Sequence, residues 1–301
     1  MKKSIFALLV LFATVGFADS SAHDYYSAAQ SASAAHNWQS VIKNGEIIAK
    51  HYENSPFASE ALFLMGVAYY ELGEYEHANE AFSEYLKKQT TPEEFEQAIR
   101  YKFAIANRFE EGARMHLMGW KSMPKWLSAK DVAVEIYNEV VATLPRHELA
   151  SEALYRKASL LNELKDYKEA VEAYQTLIRR FPKHQRAPDS YLGICQVYLK
   201  RCEAEFKDPD FLDLADLNVR KFRADFPAED RLSQAEGMLM QMKERYASDL
   251  LETGSFFQRT KKPQAAALYY YNITKRYPGT ESAKKAAKEL KKLNYSQPKP
   301  E

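Results

Sequence analysis

Apolar residues along this chain recur at spacings of three and four, not at alternate positions, which predicts amphipathic α-helices from one end to the other. The helices come in pairs. In the unit from Ser59 to Thr90, Leu62, Met65, Gly66 and Tyr69 fall on a first helix, and Ala78 and Phe82 on a second. Small residues belong where the two helices cross, because the axes must approach closely there, and Leu72-Gly73-Glu74-Tyr75 supplies the turn. A second clean unit runs from Ser151 to Pro182, with Leu154, Ala158 and Leu161, then Ala170, Tyr174 and Leu177. Punctuation recurs at Tyr52-Glu53, Leu144-Pro145, Phe181-Pro182, Phe226-Pro227 and Tyr277-Pro278. Proline there ends a helix, since it has no N–H to continue the ladder.

The remaining pairs are looser. Residues 22–53 carry Ala29 and Trp38; 94–145 carry Tyr101, Ala104, Ala133, Tyr137 and Val140; 188–227 carry Tyr191, Cys195, Tyr198, Ala215 and Phe222. The sixth pair has an extended first helix from near Arg231, with Leu250, Gly254 and Phe257, then Ala266, Tyr270 and Ile273. Residues 281–293 form a lysine-rich terminal helix, whose polar face suits the end of a repeat array. Two insertions interrupt the pattern, one from Gly112 to Ala129 and a shorter one around Lys207 to Phe211. No run of alternating β-branched residues is bounded by turns, so no strand is expected. The expected fold is all-α: about six helix pairs in a solenoid, closed by a capping helix.

The first 18 residues differ. Lys2 and Lys3, the apolar run Ile5–Phe12 and Gly16-Phe17-Ala18 have the order of a cleavable signal peptide. Removing it leaves 40 basic and 41 acidic residues, a balance that excludes an electrostatic nucleic-acid binder. The charge is divided along the chain: residues 19–111 hold 7 Lys/Arg against 15 Asp/Glu, and residues 112–301 hold 33 against 26. Such asymmetry can orient a partner. Export and this patterning divide the chain into a signal peptide (1–18), N-terminal repeats (19–111), an insertion loop (112–129), C-terminal repeats with the cap (130–293) and a loose tail (294–301). A soluble location across the inner membrane, in a bacterial periplasm and peripheral at the outer membrane, is the corresponding expectation.

Sites of chemistry are scarce. The seven histidines include no HExxH pair and no His/Cys zinc spacing, and no phosphate-binding or nucleophile loop occurs. No catalytic residue, metal site or cofactor is expected. Cys195 and Cys202 are seven apart in a helix, roughly 10 Å along its axis, too far for a disulfide. Two features suit contact with a partner. The first insertion holds Met115, Met118, Trp120, Met123 and Trp126, adaptable side chains that favour either a contact loop or a plug. The stretch Arg179, Arg180, Lys183 and Arg186 forms a candidate basic patch.

The spacing of small and large residues resembles the tetratricopeptide repeat, which implies a right-handed superhelix with first helices on the concave face. By repeat position that face is lined by Tyr26, Gln30, Phe63, Val67, Tyr70, Tyr155, Ser159 and Asn162. Val67 and Ser159 stand where related chaperone cofactors carry a carboxylate clamp, so a simple clamp is not expected. The ends go further. Asp24-Tyr25-Tyr26-Ser27-Ala28-Ala29, Asn37-Trp38, Tyr52–Ala58, Ala68-Tyr69-Tyr70, Thr253-Gly254-x-Phe256-Phe257, Ala265-Ala266 through Tyr269 and Arg276–Thr280 resemble the BamD-type outer-membrane assembly factors. That resemblance implies a scaffold that docks on a β-barrel assembly protein or on unfolded outer-membrane proteins, with no small-molecule substrate and no nucleic acid. The family's lipid-bearing cysteine is missing: Val15-Gly16-Phe17-Ala18-Asp19-Ser20 stands in its place. A general periplasmic adaptor for secretion or cell-wall and division coordination is the alternative expectation.

Overall fold

The computed structural model describes residues 21–88, 94–117, 123–204 and 209–293. They form helices α1 (Ala22–Ala34), α2 (Trp38–His51), α3 (Phe57–Glu71), α4 (Tyr75–Lys88) and α5 (Phe95–Glu110), then strands β1 (Arg114–His116) and β2 (Lys125–Ser128). Helices α6 (Lys130–Thr143), α7 (Glu148–Glu163), α8 (Tyr167–Arg180), α9 (Arg186–Ala204), α10 (Pro209–Asp225), α11 (Leu232–Arg259), α12 (Pro263–Arg276) and α13 (Glu281–Lys292) follow. The all-α expectation holds apart from the hairpin. The signal-like segment 1–18 and the tail 294–301 lie outside the described residues. Among those described, no helix is long and apolar enough to cross a membrane.

The chain divides into two compact units, 1–129 and 130–301. In the first, α1 packs on α2, α2 on α3, α3 on α4 and α4 on α5. In the second, α6 packs on α7, and the sequence of neighbours runs through α8, α9, α10, α11 and α12 to α13. The expected pair over 94–145 is therefore divided: α5 belongs to one unit and α6 to the other.

Local chemistry explains the boundaries. Ser21 and Asp24 form a reciprocal capping box at α1, the Ser21 N–H donating to Asp24 Oδ2 at 2.8 Å. Asn37 accepts from the Ser40 N–H, and Thr280 from the Ala283 N–H, at the starts of α2 and α13. Helices α2, α8 and α12 stop at Tyr52, Phe181 and Tyr277, the aromatic positions of the sequence punctuation.

Within pairs the turn needs one left-handed residue. Gly73 fills that position with φ 73° in the α3–α4 turn, but Lys165 (φ 67°) and Lys261 (φ 60°) stand there in later pairs. A side chain in this region costs roughly 1–2 kcal/mol, partly offset by the lower chain entropy that a non-glycine residue loses on folding. Lys165→Gly is thus expected to stabilise the second unit by about 0.5–1 kcal/mol. A rise in thermal midpoint checks it, and a fall would show that the lysine makes a compensating contact.

The core lies where the helices of a pair cross. Ala29, Ala78, Ala158, Ala170 and Ala266 are buried, as the small-residue pattern requires. Large residues fill the space around them: Phe82 and Tyr85 in the first unit, Tyr137, Phe222 and Tyr270 in the second. Gly66 faces the Phe82 ring and Gly254 the Tyr270 ring, each so closely that a Cβ would fall within 3 Å of ring carbon. Cys195 and Cys202 are both buried free thiols. Burial pushes the Cys195 thiol up to about 11, and its sulfur accepts from Asn218 Nδ2 at 3.2 Å, tying α10 to α9.

Candidate protein-binding site

The residues expected on one face of the first unit form a half-buried aromatic row. Tyr26 stacks on Phe57 at 5.1 Å between ring centroids, and its hydroxyl accepts from Gln30 Nε2 at 3.0 Å. Phe63 sits among Phe82, Tyr85 and Tyr101 and so ties α3 to α4 and α5. Tyr70 lies against Tyr75 and Tyr101, with Val67 half-buried one turn earlier. Burial, with Glu71 nearby, raises the Tyr101 hydroxyl above its ordinary value, and a hydrogen bond with Tyr70 raises the Arg108 guanidinium. This row already has internal partners. Its rings are half-buried, and Gln30 is exposed beside them.

In the second unit, Tyr155 is half-buried and Ser159 exposed on α7. Asn162 departs from the expectation of an open face. It is 7% exposed, and its Oδ1 accepts from Lys200 Nζ at 3.3 Å, so it links α7 to α9.

The insertion contains the antiparallel hairpin β1–β2, a correction to the strand-free reading. It pairs Arg114 with Ser128, Met115 with Leu127 and His116 with Lys125, with a bulge between Met115 and His116. Strands of three and four residues are too short to show an alternating pattern, and a bulge breaks the alternation further. The hairpin is tied to the α3–α4 turn. Lys125 Nζ donates to the Gly73 carbonyl at 2.9 Å and reaches Glu74 Oε1 at 3.1 Å, and the His116 N–H donates to Glu76 Oε2 at 3.1 Å. Met115 and Met123 are half-buried, while Trp126 is 67% exposed beside exposed Leu127. Met118 and Trp120 lie outside the described residues. Beneath the hairpin, one donor atom from each of Glu74, His77 and His116 lies within 4.8 Å of the others. These two histidines are remote in sequence, on α4 and β1, so no motif search on spacing finds them.

The basic stretch separates into two kinds of residue. Arg179, Arg180 and Lys183 are exposed; Arg179 donates to Thr176 Oγ1 at 3.2 Å and Arg180 to the Pro145 carbonyl at 2.6 Å. Arg186 is not part of a free patch. Its Nε and Nη2 donate to the two Glu152 oxygens at 2.8 and 2.9 Å, its Nη1 reaches Asp189 at 3.3 Å, and its guanidinium lies 4.5 Å over the Tyr155 ring. The Glu152 bond is the main cause of its raised pKa.

Sequence reasoning missed a cleft of about 260 Å³ formed by α8, α9 and α10. Its walls include Ile178, Tyr198, Leu214 and Leu217, with Arg179 and Lys221 also lining it. Leu214 and Leu217 are exposed, in the second helix of a pair, where the pattern places solvent-facing residues. Two leucines at a spacing of three on that face were the available signal. An apolar floor with cationic groups beside it can take a large apolar side chain from a segment that also carries acidic residues.

Comparison with known proteins agrees with the architecture. Tetratricopeptide repeat models match residues 21–94 and 152–184. No curated protein matches the chain. Among solved structures, a tetratricopeptide repeat protein from Parabacteroides merdae is 15% identical at TM-score 0.38, covering 91% of this chain and 99% of its own. MamA from Desulfovibrio magneticus is 18% identical at TM-score 0.36, covering 69% and 97%. YrrB, described as a TPR protein with an unusual peptide-binding site, is 15% identical at TM-score 0.37, covering 72% and 93%. Likeness at this level assigns no role to any residue here. One tetratricopeptide repeat match thus lies in each compact unit, on residues that form paired helices.

Proposed function

We propose that this chain is a non-enzymatic protein-binding scaffold of the bacterial envelope that serves assembly of outer-membrane β-barrel proteins. The observation that carries the binding role is the cleft of α8–α10, where Ile178, Leu214 and Leu217 meet Arg179 and Lys221. Leucines in such a place are retained against the cost of exposing apolar surface, which favours a partner that covers them. Exposed Trp126 and Leu127 on the hairpin offer a second anchor. The assembly role rests on the BamD-like sequence at both ends of the chain and on the signal-like first 18 residues. Attachment at the membrane through a partner protein is part of the proposal.

Purified chain bearing an affinity tag would be used to capture partners from envelope extracts of its source cells, with Leu217→Glu as the control. Recovery of a β-barrel assembly protein, reduced at least tenfold by Leu217→Glu, is the expected result. A buried carboxylate against an apolar partner side chain costs several kcal/mol, enough for that reduction. Recovery of cell-wall or secretion components in its place would favour the general adaptor. Equal recovery by both variants would remove the cleft from the binding surface.

A further inference from the structure

The α3–α4 turn and the hairpin above it bring together groups that helix packing does not require. Glu74 precedes α4, Glu76 lies in its first turn, and His77 and Glu80 follow. Carboxylates at a helix start are accounted for by its dipole. Two imidazoles facing one of those carboxylates are not. His116 arrives from β1 with its side chain 6% exposed, and its ring stacks on that of His77 at 5.9 Å between centroids.

The orientation of these groups is specific. His116 Nε2 lies 3.6 Å from Glu74 Oε2, while His116 Nδ1 faces Glu76 Oε2 at 3.5 Å. His77 repeats the arrangement, with its Nδ1 3.3 Å from Glu80 Oε2. Each ring thus turns one nitrogen to an outer carboxylate. Lys125 engages Glu74 through Oε1 at 3.1 Å. Glu74 Oε2 and His77 Nε2, the nitrogen not turned to Glu80, are buried without a hydrogen-bond partner. Buried polar atoms are rarely left so, and two facing one cluster point to a missing ligand.

We propose that Glu74, His77 and His116 form a binding site for a divalent transition metal of the zinc class. Two imidazole nitrogens and one carboxylate oxygen suit zinc and its neighbours rather than calcium or magnesium, which take oxygen ligands. Glu76 and Glu80 would hold the histidines as outer partners, the arrangement that fixes ring orientation in metal sites. Three carboxylates against one lysine leave the pocket negative, which favours a dication. The donor atoms lie within 4.8 Å of one another. Bonds of about 2.0–2.1 Å place two ligands on one ion at most about 4.2 Å apart, so rotation of the side chains by roughly an ångström closes the site. A metal there would staple the hairpin, and with it Trp126, to the α3–α4 turn. It is independent of the proposed partner.

The test titrates zinc into the full-length, chelator-treated protein against a chromogenic chelator, for the wild type and for His77→Asn, His116→Asn and Glu74→Gln. Binding of one zinc per chain is expected, weakened at least a hundredfold by either histidine change and at least tenfold by Glu74→Gln. Zinc should raise the melting temperature of the wild type alone. Cobalt in the same site should give the intense visible bands of a four-coordinate centre. His77 is the less critical residue for packing, so if His116→Asn does not fold, His77→Asn decides. Equal zinc binding by the wild type and His77→Asn would overturn the proposal by placing the metal on other histidines. No uptake would also overturn it, leaving His116 as a buried side chain packed between Glu74 and Glu76.

Discussion

Gly66→Val is expected to destabilise the first unit by about 2–3 kcal/mol, the upper part of the range for overpacking a filled core. A Cβ at Gly66 would fall 2.8–2.9 Å from the Phe82 ring. That ring cannot retreat, because Phe82 is fully buried and touches Phe63 and Tyr101. Helix propensity opposes this result, since valine is the better helix former, so the sign reports which effect wins. Gly237→Ala is the matched control. Gly237 lies inside α11 with no atom within 4 Å of its would-be Cβ. There propensity acts alone, and a gain of about 0.5–1 kcal/mol is expected. Denaturant unfolding of both variants checks the pair. Trimming the ring in a Gly66→Val/Phe82→Leu double variant should recover part of the loss, as coupled neighbours do. Equal stability of Gly66→Val and wild type would mean that α3 and α4 do not approach as described.

Asp189→Ala is expected to cost the second unit about 1.5–2 kcal/mol. Asp189 bridges two arginines, Arg186 at 3.3 Å and Arg231 at 2.5 Å, from the starts of α9 and α11. Glu152 of α7 and Glu229 complete the network, at 2.8 Å from Arg186 and 2.7 Å from Arg231. Removing Asp189 leaves two cations facing one carboxylate fewer. The arginines are about one-third exposed, so water screens part of the loss and keeps it below that of a fully buried pair. Acid should act in the same direction. The hydrogen bond from Arg231 holds the Glu229 carboxyl below its ordinary range. Its contribution is complete above the unfolded glutamate value of about 4.3 and is lost as pH falls through the lower folded value. Unfolding curves of the wild type from pH 7 to pH 3 should therefore show this contribution being lost as Glu229 protonates. A Glu229→Gln variant should lack that part of the acid loss, and an identical pH dependence in both proteins would contradict it.

Much of this architecture is legible in the sequence, because a helix pair writes its crossing point twice. Gly66 with Phe82, Ala158 with Tyr174 and Gly254 with Tyr270 share one separation, a small residue answered by a ring. The turns are legible where glycine fills the left-handed position, as at Gly73, and obscure where Lys165 or Lys261 fills it. The hairpin was not legible: its register is interrupted by a bulge, and its order derives from Lys125 and His116 reaching the α3–α4 turn. Site residues were the least legible. Asn162 has a concave-face repeat position but turns toward Lys200, and Arg186 reads as part of a basic run until Glu152 and Asp189 neutralise it. The cleft of α8–α10 joins three helices and leaves only Leu214 and Leu217 as a local trace.

Photo-crosslinking in living source cells tests the scaffold reading most directly, with the crosslinking residue placed in turn at Leu217, Trp126 and, as a control, the exposed Glu139 of α6. The account predicts one discrete partner band from Leu217, identified by mass spectrometry as a β-barrel assembly protein or an unfolded outer-membrane protein, and none from Glu139. Labelling of Leu217 by water alone, or by the same proteins as Glu139, would contradict it.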